Sequence, residues 1–230
     1  MLRLRRGERM RRYFQPGLDE GKTFVFWGRN YNTAGIPGPE RSRTWVNQPE
    51  KMQGSRNGTP HRNGQARFTN VAYFYEPDFT GDDYREGIVV ENAKEVVFSF
   101  QTPYVIGATP PNNKAWGIYD DGCRNGLTLQ GKATCPVSVS LDAGRTWSPP
   151  QSFRDGLDLT DLVKGRSHYW LRLGAGASQL RNTSLVIRTV CQANVAVLPR
   201  LKDNGTVISY EASGREVISM GPELGLAKSF

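Results

Sequence analysis

The sequence predicts an all-β protein: a two-sheet antiparallel sandwich, jelly-roll-like, with an irregular basic N-terminal region. From residue 67 onward, short runs rich in β-branched and aromatic residues recur, at intervals of about ten residues. Gly and Pro supply 39 of the 230 residues and provide turns between these runs. Helical patterns are nearly absent. Many short strands at even spacing are typical of sandwiches and jelly rolls.

The elements follow from local patterns. Residues 1–66 are expected to be loop-like apart from one strand at 23–27. Further strands are predicted at residues 67–75, 87–90, 95–101, 137–141, 168–173, 185–192, 195–198 and 206–211. Residues 158–165 predict one capped helical turn, with Asp158 as N-cap, Asp161 at N3 and Gly165 at C′. Asn204-Gly205 predicts a hairpin turn. We therefore divide the chain into an Arg-rich arm with a few packed strands (1–87) and a sandwich domain (88–230).

The net charge of +8 is concentrated near the N-terminus. Residues 1–70 contain 14 Lys and Arg against 5 Asp and Glu, a charge of +9. Arg suits planar contacts with carboxylate, sulfate or phosphate groups, so an acidic glycan is one candidate partner. No helix-turn-helix, zinc-finger or RNA-binding signature accompanies the arginines, which argues against nucleic acid. No window approaches 18 apolar residues, so no membrane span is expected.

One eight-residue motif carries specific information. Residues 140–147, SLDAGRTW, match the pattern S-x-D-x-G-x-T-W of the Asp-box at Ser140, Asp142, Gly144, Thr146 and Trp147. We expect Asp142 to accept backbone N–H groups across a hairpin turn, Gly144 to take a positive φ, and Trp147 to pack beneath the hairpin.

Through this motif the chain resembles the sialidase and bacterial-neuraminidase-repeat families, in which such boxes stabilise hairpins away from the catalytic centre. The resemblance implies that the five box residues are structural. The chain contains one box, and neither the family's arginine clamp nor its nucleophile pair can be placed. From residue 95 to 211 the pattern also resembles galactose-binding-like jelly rolls of large secreted bacterial proteins. Together these resemblances imply a non-catalytic carbohydrate-recognition or accessory domain that is secreted or extracellular.

A sugar-binding surface needs aromatic faces for stacking and a few polar groups for the hydroxyls. Trp116 and Tyr119 fit best, with Asp120 or Asp121 as hydroxyl acceptors, because Pro110-Pro111 and Asn112-Asn113 favour a surface loop there. Trp45 with Arg41 and Arg43 is a second candidate group. The alternative is that these rings fill the ends of the sandwich.

Two other function classes stay open. A small glycoside hydrolase or polysaccharide lyase acting on acidic polysaccharide would use the carboxylates between Tyr75 and Glu86 together with the basic arm. A purely structural domain is the third class. His168 is expected to pack or form hydrogen bonds rather than to act as a catalytic base.

No transition-metal site is predicted, because two histidines and three cysteines do not have zinc-ligand spacing. A structural Ca²⁺ stays open, since Asp155, Asp158 and Asp161 are spaced by three and helix capping also accounts for two of them. Cys123 and Cys135 flank a Gly-rich loop, and they are either a disulfide in an oxidising compartment or buried thiols.

Overall fold

The computed structural model describes residues 2–13, 68–111, 120–194, 207–211 and 216–218. The chain is mostly β, and two antiparallel sheets pack face to face as a sandwich, which confirms the predicted fold class. The described strands, in chain order, are β1 (Leu2–Leu4), β2 (Glu8–Tyr13), β3 (Phe68–Tyr75), β4 (Ile88–Glu91), β5 (Val96–Gln101), β6 (Val105–Ile106), β7 (Leu127–Lys132), β8 (Pro136–Ser140), β9 (Gln151–Ser152), β10 (Leu157–Asp158), β11 (His168–Leu173), β12 (Ser184–Asn194), β13 (Val207–Glu211) and β14 (Glu216–Ile218).

Helical structure in the described ranges is limited to short turns: a 3-10 turn at Asp83–Arg85, α1 at Thr160–Val163 and α2 at Ala177–Leu180. None of them has the length or the apolar content that a membrane span requires. Gly165 follows α1 with a φ of +79°, as expected for a glycine at C′. The helix starts one residue later than predicted, so Asp158 lies just before the N-cap position, which Leu159 occupies.

The larger sheet has the strand order β10-β7-β12-β3-β2-β13, with β6 also paired to β12. The smaller sheet has the order β4-β5-β11-β8-β9, and β1 pairs separately with β14. Alternation orients the side chains: in β11, Tyr169, Leu171 and Leu173 are buried while their neighbours are more exposed. The core lies where the inner faces of the two sheets meet.

Aromatic rings fill one end of this core. Phe100 of β5 stacks on Tyr169 of β11 with ring centroids 4.9 Å apart, and Tyr75 of β3 meets Phe98 edge to face at 5.6 Å. These rings join the two sheets, because β3 belongs to the larger sheet whereas β5 and β11 belong to the smaller one.

Seven of the predicted strands are confirmed to within two residues at each end: 67–75, 87–90, 95–101, 137–141, 168–173, 185–192 and 206–211. The predictions at 23–27 and 195–198 and the Asn204-Gly205 turn lie outside the described residues. The expectation that residues 1–66 are loop-like is wrong for residues 2–4 and 8–13, where β1 and β2 form, and strand β7 was not predicted.

The prediction of a loop-like arm is wrong at β2 because the inward-facing positions of this strand include charged residues, so they do not alternate in hydropathy with the outward-facing ones. In β2, Glu8, Met10 and Arg12 face the interior with exposed fractions of 7%, 0% and 0%. Two of these three inward positions are ionisable, so hydropathy gives no strand signal. Residues 8–13 lie between β3 and β13 in the larger sheet and are part of the sandwich itself.

Candidate functional site

The Asp-box turn leads from β8 towards β9, and its polar groups bond one another. The Ser140 hydroxyl donates to Asp142 Oδ1 (2.8 Å) and accepts the N–H of Gly144 (2.9 Å). Asp142 also accepts the N–H and the hydroxyl of Thr146 at 2.9 and 2.7 Å. These hydrogen bonds, those of Thr146 first, lower the pKa of Asp142 to about 2.

Steric constraints fix the rest of this turn. Gly144 has a φ of +81°, and a Cβ there would lie 2.9 Å from the Trp170 ring. Trp147 is half-buried, and the Arg172 guanidinium carbon lies 4.4 Å from its ring centroid. The geometry of the five box residues is that of a self-contained turn, which agrees with a structural role.

Only part of the predicted sugar-binding surface lies within the described residues. Trp116, Tyr119, Arg41, Arg43 and Trp45 lie outside the described residues, so the platform stays a prediction. Asp120 and Asp121 are both exposed. The carbonyl of Asp120 accepts a hydrogen bond from Lys164 Nζ at 2.6 Å, which fastens this end of the loop to the residue that follows α1.

The three aspartates considered for Ca²⁺ bind backbone N–H groups of the loop and strand around residues 122–131. Asp155 accepts the N–H of Gly131, Asp158 that of Asn125, and Asp161 those of Gly122 and Cys123. Burial opposes ionisation of Asp161, but the Lys164 ammonium and these N–H groups hold its pKa below the ordinary value. No cluster of three or more potential metal ligands occurs within the described ranges. The three aspartates therefore stabilise the loop through hydrogen bonds to its backbone.

All three cysteines are buried free thiols. The structure thus favours the thiol alternative over a Cys123–Cys135 disulfide. Burial raises the pKa of each thiol, and that of Cys191 rises to about 12.

The carboxylates considered for the enzyme alternative mostly pair with arginines at the surface. Glu76 bonds Arg9, Asp82 bonds Arg85, and Asp83 lies 2.7 Å from Arg6. Glu91, which was not predicted, accepts the Tyr84 hydroxyl at 2.7 Å and Arg85 Nε at 3.0 Å. His168 is exposed, and its Nε2 lies 3.2 Å from the carbonyl of Leu141. This surface is a network of ion pairs.

A different feature, which we call the inter-sheet pocket, lies between the sheets beside β2 and β5. It has a volume of about 500 Å³, within the usual range for small-molecule sites. Both sheets line it: Glu8, Tyr73 and Thr189 from the larger sheet, and Ser99, Phe100 and Gln101 from the smaller one. Arg5 and Glu86 add charge at its wall.

Arg5 is held rigidly at this pocket. Its guanidinium carbon lies 4.9 Å from the Tyr75 ring centroid and 4.6 Å from that of Phe100. Its Nη2 donates to the carbonyl of Ser99 at 3.0 Å, and its Nε lies 3.5 Å from Glu8 Oε2. The position is tight, because a Cβ on Gly87 would lie 2.2 Å from Arg5 Nη1. Arg5 therefore forms a fixed wall of the pocket.

Glu8 is the buried carboxyl group of the pocket. Its Oε2 accepts the N–H of Arg5 at 3.1 Å, and the side chain is 9% exposed. Burial raises the pKa of Glu8 above its ordinary value, although Arg5 acts in the opposite direction. Buried carboxyl groups with raised pKa values concentrate at functional sites.

Tyr73 lines the same pocket as Glu8, and its hydroxyl is unsatisfied among the described residues. The residue is 6% exposed, and its hydroxyl is buried without a hydrogen-bond partner in the described part of the chain. The neighbouring Tyr169 hydroxyl, in contrast, lies 2.6 Å from Thr189 Oγ1. Burial raises the pKa values of both tyrosines, so both phenols are protonated at neutral pH. A buried donor without an acceptor is rare in native proteins, and a bound ligand is one explanation.

Sequence reasoning missed the inter-sheet pocket. Glu8 and Arg5 were assigned to an irregular arm, and Tyr73 and Thr189 were assigned only to strands. The one available signal was the spacing of Glu8, Met10 and Arg12 at every second position, which places three side chains on one strand face. Compared with known proteins, the chain matches no family model, no curated protein and no solved structure.

Proposed function

We propose that this chain is a non-catalytic carbohydrate-recognition or accessory domain, and that the sugar binds in the inter-sheet pocket. The observation that carries the proposal is the Tyr73 hydroxyl, which is buried without a partner among the described residues, in a residue that lines the pocket together with the buried Glu8. Among the described residues the Tyr73 hydroxyl lacks the partner that a protein interior normally supplies, whereas the Glu8 carboxyl is bound by Arg5. A hydroxyl-rich ligand supplies an acceptor to Tyr73 and further donors to Glu8.

The composition of the lining supports a sugar rather than an apolar ligand. The lining includes the hydroxyl residues Tyr73, Thr102 and Thr189, and Glu8 and Gln101 add planar polar groups. The Thr102 hydroxyl already bonds the backbone of Tyr104, and the Thr189 hydroxyl bonds Tyr169. Phe100 adds apolar surface to the lining rather than a free stacking face, because its ring stacks on Tyr169 and lies against the Arg5 guanidinium. A few polar groups that converge from several directions fix the orientation of a ligand in such a site.

The contacts that hold the Glu8 carboxyl in place support a non-catalytic role. Its Oε2 is bound by the backbone and side chain of Arg5, which itself lies between two aromatic rings. The carboxyl therefore has a positioning partner of fixed geometry and is not free to move onto a glycosidic bond. In keeping with the resemblance to secreted bacterial proteins, we place this function outside the cell.

The enzyme alternative keeps one specific observation in its favour. Glu8, with its raised pKa, and Glu86 line the same pocket, and glycoside hydrolases use two carboxyl groups with different pKa values. Glu8→Gln distinguishes the two functions. A recognition domain shows no turnover in either form, whereas a hydrolase shows turnover that the variant loses.

The direct test uses Tyr73→Phe, which removes one oxygen atom. We expect affinity for a glycan selected on an array to fall roughly 2- to 10-fold, the value of one hydrogen bond, as measured by isothermal titration calorimetry. The melting temperature should stay the same or rise, because the removed hydroxyl has no described partner. Tyr84→Phe is the matched control, since its hydroxyl bonds Glu91 at 2.7 Å and does not line the inter-sheet pocket. Equal affinity for Tyr73→Phe and the wild type would contradict the proposal.

A further inference from the structure

The outer face of the larger sheet contains a charged side chain that has no counter-ion among the described residues. Arg188 lies in β12 between Ile187 and Thr189, which are 1% and 3% exposed and face the core, so Arg188 points away from it. The side chain is half-buried, and its Nε is buried. It makes no hydrogen bond or ion pair with any residue that the structure describes. A half-buried guanidinium in this state is unfavourable unless an anion joins it.

Other basic side chains share this face through the strand register. Phe74 of β3 pairs with Arg9 of β2 on one side and with Arg188 on the other. The guanidinium carbons of Arg9 and Arg11 lie 5.6 and 5.9 Å from the Phe74 ring centroid. Because adjacent strands are about 4.8 Å apart, Arg9 and Arg188 are separated by about 10 Å at their Cα atoms. We call Arg9, Arg11 and Arg188 the arginine row.

A second unsatisfied group lies at the end of the arginine row. Thr128 of β7 is the register partner of Arg188, and its hydroxyl is buried with no hydrogen-bond partner in the described ranges. The residue is 5% exposed. Arg188 and Thr128, at adjacent positions of the sheet, therefore each contain a buried polar atom that has no hydrogen-bond partner among the described residues.

Within the described residues, one nearby carboxylate pairs with a member of the arginine row: Glu76 bonds Arg9 at the surface. Asp158, the register partner of Thr128 in β10, accepts the N–H groups of Asn125 and Thr160 at 2.8 and 3.0 Å. Arg11, which is exposed, and Arg188 have no carboxylate partner in the described residues.

We propose that the arginine row binds the anionic groups of an acidic polysaccharide, either carboxylates or sulfate esters. Guanidinium groups bind both anions through paired N–H donors, and a row of them matches charges repeated along a polymer. The site is separate from the inter-sheet pocket, where Glu8 and Glu86 oppose an anion and Arg5 is already engaged. A nucleic acid fits less well, because Phe74 is a single half-buried ring, whereas single strands require several exposed aromatic faces.

The test uses Arg188→Gln and Arg11→Gln, with Arg154→Gln as a control that removes one exposed charge after β9, outside the arginine row. Binding is measured at about 0.15 M salt to immobilised polygalacturonate, dextran sulfate, neutral dextran and a single-stranded oligodeoxynucleotide. We expect the two row variants to weaken binding to at least one acidic polymer by about 5-fold or more and the control by less than about 2-fold. The two acidic polymers distinguish carboxylate from sulfate recognition.

The melting temperature separates a binding role from a structural one. Arg188→Gln removes a half-buried charge that has no described partner, so the variant should melt at or above the wild-type temperature. If that variant does not fold, Arg11→Gln, at an exposed position, supplies the same test. The proposal is overturned by equal losses in Arg154→Gln, by no binding to either acidic polymer, or by tighter binding of the oligonucleotide through the same residues. A failed Tyr73→Phe test would remove the pocket assignment and leave this result unchanged.

Discussion

The Asp-box turn and the inter-sheet pocket both concentrate polar side chains, but they use them in opposite ways. In the turn, Asp142 accepts three hydrogen bonds from residues within four positions in sequence. In the pocket, the Tyr73 hydroxyl has no described partner, and burial disfavours the ionised form of Glu8. Native proteins provide hydrogen-bond partners for most of their buried polar groups. The satisfied polar groups of the turn are therefore typical of a structural element, whereas the unsatisfied hydroxyl of the pocket is not. From this contrast we propose a structural role for the first region and ligand binding for the second.

The largest effect is expected from Asp142→Ala. The substitution removes the acceptor for the Thr146 N–H and hydroxyl and for the Ser140 hydroxyl, so the melting temperature should fall by about 5 °C or more. Glycan affinity should not change. Arg145→Ala, an exposed position in the same turn, is the control and should melt within about 1 °C of the wild type. A variant at Asp142 that keeps its melting temperature but loses its ligand would reverse the assignment.

The next effect concerns the predicted platform loop. Removing the indole in Trp116→Ala should weaken binding of an extended glycan by about 5- to 10-fold, because stacking on a sugar face is lost. Combined with Tyr73→Phe, the two losses should add in free energy if the loop and the pocket make independent contacts. Calorimetry on the two single variants and the double variant measures this. An unchanged affinity in Trp116→Ala would eliminate the platform and leave the pocket as the site.

The smallest effects are pH-dependent, and they have opposite signs in the two regions. The pKa of Asp142 is lowered to about 2, so its contribution to stability is complete above the ordinary value of 3.8 and is lost as the pH falls towards 2. The pKa of Glu8 is raised, so stability is highest below its ordinary value of 4.5 and falls as the pH rises through the raised value. Melting temperatures of Asp142→Asn should therefore decline less in acid than those of the wild type. Glu8→Gln should decline less as the pH rises above 4.5, and identical profiles for all three proteins would refute both assignments.

The sequence predicted those parts of the fold in which each strand carries its own signal. Strands β5, β8 and β11 alternate apolar and polar residues or form continuous apolar runs, and their positions were predicted closely. Strand β2 was missed because its inward positions include Glu8 and Arg12, whose burial depends on partners far away in the sequence. Hydropathy cannot reveal a strand whose charges are satisfied only by the tertiary fold.

The pocket could not be predicted for a related reason. Met10, Tyr73 and Thr189 come into register across β2, β3 and β12, and this register brings Glu8 close to Tyr73 although 64 intervening residues separate them. No local motif encodes such a constellation. The Asp-box turn, in contrast, was visible from eight consecutive residues because its hydrogen bonds are local. Removal of the N-terminal residues would thus disrupt the larger sheet, so single substitutions are the better tests of the basic region.

The central claim is that sugar binds in the inter-sheet pocket, and amide chemical-shift mapping with the tightest-binding array glycan tests it most directly. We expect the largest shifts at Gly87, Ser99, Gln101 and Thr102, which line the pocket on the smaller sheet. Shifts confined to residues 120–122, next to the predicted platform, with none at the pocket, would contradict the claim.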